Sequence, residues 1–344
     1  MTSRALLTTL AVPALALAAL AALLAAMGYD ARAAMTALWD GSFGSWYAIG
    51  SATLVRATPL ILAGLAVSVA FRAGVFNIGA EGQLLAGAAA ATAVALATSA
   101  SVGRASLLLA LVAGAFAGAA WAGIAAWLRH RFAVLDVIST IMLNFVALNA
   151  VGWLVRGPLQ EPTRIYPQSS SLQAAARLPR LLPDARAHWG LVLALLACAL
   201  VWWMLARTAA GFRLRAAGAN PWAARSAGLI DVGRVTAGAF LLSGALAGIA
   251  GASEVTGVTF ALYENLSPGY GYTAIAVALL ARLHPAGVVA TGILFGALEA
   301  GATAMQRDAG VPSVVVAVVE AALILAVVAL ERMRGRRRAA EVGA

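Results

Sequence analysis

GVFNIGAEGQLLAG, residues 74–87, interrupts two long apolar runs. It carries Asn77, Glu81 and Gln83 together with four glycines, Gly74, Gly79, Gly82 and Gly87. A carboxylate and two amides between apolar runs raise the question of what surrounds those runs. Of the 344 residues, 62% are hydrophobic and 11% charged. Soluble chains are about half apolar and about a quarter charged, so this chain cannot cover a water-facing surface. It reads as an all-α polytopic membrane protein, because helices satisfy their own backbone in lipid. The stretch 74–87 is then either a turn at the membrane surface or part of a pathway lined by protein and water.

A span needs about 20 apolar residues. The runs read as about ten transmembrane helices: 5–27, 52–70, 84–96, 106–128, 134–155, 189–205, 235–252, 270–281, 287–304 and 314–330. The first follows Arg4, and its apolar run exceeds the roughly 7–15 residues of a signal-peptide core, so it reads as a retained helix. The domain reading is an N-terminal transmembrane helix (1–28), a periplasmic segment (29–51), a transmembrane domain (52–334) and a basic tail (335–344). With the N-terminus inside, fifteen arginines fall on cytoplasmic segments and eight on outer ones, as the positive-inside rule expects. This makes 157–187 a periplasmic loop, 207–234 a cytoplasmic loop, and both termini cytoplasmic. The arginine-rich tail from Arg332 to Arg338 reads as a lipid-touching anchor.

The formal charge is +10, and all 24 basic residues are arginine. Without lysine there is no P-loop lysine for nucleotide phosphates and no Schiff base. Any ATP-driven work must be done by another chain. His130, His188 and His284 lack ligand spacing and Cys198 stands alone, so the sequence offers no metal site, no cofactor and no enzyme centre. The arginines form no aromatic-interleaved surface of the kind that binds nucleic acid.

A second break, NLSPGYGY at 265–272, again places an asparagine before a glycine-rich interruption and an apolar helix. Paired interrupted segments are a mark of transporters built from two repeats, with the binding site near them. Asp136, Thr140 and Asn144 lie at i, i+4 and i+8 and share one helix face, either as glue between helices or as a pathway lining. Glu254, Glu299 and Glu320 are further carboxylates within apolar runs.

Four segments in this order, GVFNIGAEGQLLAGA, DVISTIMLNFVALN, AAGANPWAARSAGL and SPGYGYTAIAVALLARLHPAGV, resemble the bacterial ABC-importer permeases for branched-chain amino acids and simple sugars, and within them the nucleoside permeases. The likeness runs from about residue 52 to 330. It implies a bacterial inner-membrane permease subunit that imports nucleosides by alternating access. The implied partners are a separate ABC ATPase, an extracytoplasmic substrate-binding lipoprotein and a second permease chain, alike or sister, within membrane lipid. Simple-sugar or amino acid import remains an alternative, as does a proton- or sodium-driven transporter using Glu299 and Glu320.

The resemblance places a coupling helix at Asn220, Pro221, Trp222, Ala223, Ala224, Arg225, Ala227 and Gly228. Proline suits a first helical turn, the alanines allow close docking, and glycine ends the helix. Arg213, Arg215 and Arg225 are candidates to pair with acidic groups of the ATPase. Candidates for the path or gate are Asn77, Glu81, Gln83, Asn144, Phe145, Asn149, Tyr270 and Tyr272. Amides and aromatic rings suit a flat base and ribose hydroxyls, whereas Glu81 reads as a structural group of the gate.

Overall fold

The computed structural model describes residues 18–321 except 227, 229, 313, 316, 319 and 320. The described residues are helical with no β-strand. Residues 18–26 form α1, followed by α2 (Ala31–Ser42), α3 (Trp46–Arg72), α4 (Ala80–Val102), α5 (Ala105–Phe132) and α6 (Asp136–Arg156). Then come α7 (Gly190–Arg207), α8 (Ala209–Ala219), α9 (Pro221–Ser226), α10 (Val232–Thr259), α11 (Tyr270–Leu280) and α12 (Pro285–Asp308). Seven of these, α3–α7, α10 and α12, are long and apolar enough to cross a membrane.

Among the described residues these are seven of the about ten spans expected. The expected span 270–281 corresponds to α11, whose 11 residues rise only about 16 Å, half a bilayer core. The expected first and last spans, with Ala227, Glu320 and the arginine-rich tail, fall wholly or partly outside the described residues. The expected short span 84–96 is in fact the 23-residue α4, because its polar first turn and small residues continue the helix at both ends.

The chain divides into two compact units, residues 1–56 with 296–344, and residues 57–295. In the first, Leu20, Leu24, Ala34, Leu38, Met305 and Val311 form the core. Asp30 opens α2 by accepting the N–H groups of Arg32 and Ala33 at 2.9 Å.

In the second unit, α4, α5 and α10 are joined through glycine. A side chain at Gly87 or Gly118 would overlap the backbone of Gly248 or Gly244, and one at Gly251 would overlap Leu84. Small residues let helix backbones touch where lipid supplies no hydrophobic drive. At one end of this unit, Arg72 Nε donates to the Leu283 carbonyl at 2.8 Å, and Gly218 lies against the backbone of Arg72 and Gly74. Arg129 pairs with Asp136 there. At the other end, the loop after α6 runs along the end of α10 and the segment that follows it. Leu178 N–H donates to Thr256 O (2.8 Å), Leu172 N–H to Phe260 O (2.7 Å) and Ser169 N–H to Leu262 O (2.9 Å).

His188 closes that loop. It is fully buried, its Nδ1 accepts the Gly190 N–H at 3.1 Å, and its Nε2 has no partner. Burial pushes its pKa down to about 4 from 6.5. The unfolded chain therefore binds the extra proton between those values. Stability should be full above pH 6.5 and fall as pH drops toward 4, by about 2 kcal/mol by pH 5. Thermal unfolding of purified protein at pH 7 and pH 5 checks this, and His188→Gln should flatten the slope.

Candidate translocation site and coupling loop

The chain leaves α3 at Arg72 and enters α4 at Ala80 through non-helical backbone. Peptide groups there need partners, and the shared face of α6 supplies them. Asp136 accepts the Phe76 N–H (3.4 Å), and Thr140 Oγ1 accepts the Ile78 N–H (3.3 Å). Asn144 accepts the Gly82 N–H (2.8 Å) through Oδ1 and donates through Nδ2 to the Ile78 carbonyl (3.0 Å). The polar stripe is a template for the broken backbone.

Asn77 is fully buried. Its Nδ2 donates to Gln83 Oε1 (3.0 Å) and Ser243 Oγ (2.9 Å), and its Oδ1 accepts from Gly79 N–H and Gln83 Nε2, both at 2.9 Å. Two donors and two acceptors are all that an amide side chain offers, so Asn77 has nothing left for a solute in this state.

The second break meets the first at Glu81. One carboxylate oxygen accepts the Gly271 N–H at 2.6 Å, and the Ser267 side chain hydrogen-bonds the same group. Ser267 Oγ also accepts the N–H groups of Gly269 and Tyr270 (3.1 Å each), capping α11. Gly269 stands at φ 103°, where a side chain would be strained. The backbone at Gly271 touches that of Glu81, so no side chain fits between them. Two helix N-termini, of α4 and α11, thus converge on one carboxylate, the arrangement such positive ends favour. Glu81→Gln keeps the shape and weakens the charge-assisted bonds. It is expected to cost about 1–3 kcal/mol, read as a lowered unfolding temperature of the solubilised protein, with Glu81→Leu lower still.

The structure brings together six of the eight candidate path residues: Asn77, Glu81, Gln83, Asn144, Tyr270 and Tyr272. Asn144 Nδ2 donates to the Tyr272 hydroxyl at 3.2 Å, and Tyr270 is buried beside the cap. Phe145 and Asn149 stand apart from this knot. Phe145 is exposed, and the Asn149 amide donates back to the Phe145 carbonyl at 2.8 Å. Sequence reasoning did not select Ser243 or Ser267. Ser243 sits in an apolar run with no local signal, whereas the serine two residues before Gly269 was a legible helix cap.

In the second loop, α9 begins as its proline implied. Asn220 Oδ1 accepts the N–H groups of Trp222 (3.1 Å) and Ala223 (3.0 Å), and Gly228 follows the helix at φ 70°. One expectation is revised. Ala224, expected on a docking face, is 6% exposed and packs on Ala217 and Val232 of its own chain, because a six-residue helix needs an apolar anchor. Trp222 (75% exposed), Ala223 and Arg225 face outward, with the Arg225 guanidinium 5.8 Å from the Trp222 ring centre.

Residues 49–328 match the family described as branched-chain amino acid transport system / permease component. The chain belongs to that family. It is 41% identical over 315 residues to the guanosine ABC transporter permease protein NupP of Bacillus subtilis, covering 90% of this chain and 89% of that one. It is also 41% identical over 289 residues to the glucose ABC transporter permease protein TsgB13 of Haloferax volcanii, covering 81% and 75%. The nucleoside ABC transporter permease protein NupB of Lactococcus lactis is 31% identical over 314 residues, covering 88% and 85%. No solved structure matches the chain. As a permease component of an ABC transporter, the chain is a multi-pass membrane protein that works with an ATPase and a substrate-binding protein.

Proposed function

We propose that this permease imports nucleosides across the bacterial inner membrane, with both termini cytoplasmic. The observation that carries the substrate is likeness to NupP and NupB over 85–89% of their lengths. The equal identity to TsgB13 makes glucose the second reading.

In this reading α9 is the coupling helix, offering Trp222, Ala223 and Arg225 to an ATPase that alone hydrolyses ATP. The basic segments carrying Arg72, Arg129, Arg131 and Arg207–Arg234 face the cytoplasm, and the loop after α6 faces the substrate-binding lipoprotein. A second permease chain, alike or sister, completes the pathway. The lock joining the two breaks is the gate. Glu81 holds the α4 and α11 N-termini together when it is closed, and Gly218 against Gly74 links α8 and α9 to the first break.

Uptake of labelled guanosine should disappear in cells lacking the gene, with competition by adenosine and none by glucose or leucine. Competition by glucose alone would move the assignment to the sugar reading.

A further inference from the structure

Beyond the lock, α6 borders a cavity that the gate leaves unused. The α6 face bearing Asn144 continues through Leu148, Gly152 and Arg156 at i+4 steps. There it lines a cavity of about 470 Å³, completed by Asn149, Trp153, Glu264 and Asn265. This volume is that of a small-molecule pocket. It begins about one turn beyond the Asn144–Tyr272 bond, roughly 6–8 Å along the helix.

Arg156 Nη2 and Glu264 Oε2 pair at 2.7 Å across it. Because Gly152 has no side chain, Glu264 lies on the helix there; a Cβ would stand 3.3 Å from Oε1. Among the described residues, Oε1 receives no hydrogen bond. Asn149 has spent an N–H on Phe145 and keeps its carbonyl oxygen. Among the described residues the Asn265 side chain makes no hydrogen bond, and Trp153 presents an exposed ring.

We propose that this cavity is a receiving site for an uncharged solute bearing vicinal hydroxyls, the ribose of a nucleoside in the function proposed above, on which this assignment rests. The charges of the lining cancel, so an ionic solute gains no net attraction. Hydroxyls need acceptors first, and those open among the described residues are Glu264 Oε1 and the carbonyls of Asn149 and Asn265, the first charge-assisted. Trp153 gives a base or a sugar face a surface to stack on. Solute leaving the pocket along the α6 face meets the Asn144–Tyr272 bond next, which places the site directly before the lock.

The test is photolabelling of the assembled permease–ATPase complex with 8-azidoguanosine, followed by peptide mapping. Label is expected within residues 148–157 or 264–265, with protection by guanosine and none by 2′,3′-dideoxyguanosine. Glu264→Gln is expected to lower labelling at least about tenfold. Asn149→Ala, which leaves the ion pair intact, should lower it too, with ATPase activity of the complex confirming that both variants are assembled. No label, label elsewhere, protection by the dideoxy compound, or full labelling of both variants would overturn the site. Guanosine uptake by wild-type cells separates the two levels. Uptake with unaltered labelling in the variants sinks the site alone. Glucose uptake in place of guanosine, with glucose protecting the same peptide, sinks the nucleoside reading and keeps the hydroxyl site.

Discussion

Gly248→Leu should remove the folded permease from the membrane. Gly248 faces the Gly114 carbonyl and the Gly118 Cα of α5, and the backbone of α4 at Gly87 reaches it from another side. A Cβ alone would overlap the Gly114 carbonyl. The obstacle is helix backbone, which cannot rotate away as a side chain can. Overpacking a core costs about 1–3 kcal/mol when side chains can adjust. Three helices prised apart lose their shared contacts, which puts the cost in the rare range above about 4 kcal/mol. Membrane abundance, read by immunoblot, should fall at least about tenfold. Gly238→Leu on the same helix is the control, since a Cβ at Gly238 meets nothing within 4 Å. Equal abundance of the two variants would show that the glycine contacts do not hold the bundle.

The second large effect is on transport without loss of protein. Ala223→Glu should reduce uptake at least about tenfold at wild-type abundance. Ala223 is exposed beside Trp222 and Arg225, and interfaces concentrate their binding energy in such aromatic and arginine anchors. A carboxylate there cancels the positive charge of the face and adds bulk where close approach is needed. The neighbouring Ala224→Glu gives the contrast. Ala224 is anchored against Ala217 and Val232, so a buried carboxylate should detach α9 and lower abundance as well as uptake. Normal uptake by Ala223→Glu would remove α9 from the coupling role.

Both effects were partly legible in the chain. Composition alone required membrane helices, since so few charges cannot cover a soluble surface. The proline and glycine around 221–228 announced a short capped helix, because capping is local chemistry. The i, i+4, i+8 spacing put Asp136, Thr140 and Asn144 on one face, and the two asparagine-glycine breaks marked where helices stop.

What the stripe binds was not local. Its partners are the peptide groups of Phe76, Ile78 and Gly82, 60 to 62 residues earlier. Glu81 reaches Gly271 across 190 residues, and Asn77 reaches Ser243 across 166. Hydropathy and periodicity record how each residue partitions between lipid, water and its own helix. They carry no information on which helix lies alongside. Ala223 and Ala224 are the same residue in sequence, yet one faces out and one is an anchor. The 34 glycines look alike as well, and only packing separates Gly248 from Gly238. The sequence by itself determined a helical membrane chain interrupted at two places. Tertiary structure decided that the two interruptions close on each other around one carboxylate, because peptide groups freed inside a membrane must find their hydrogen bonds within the protein.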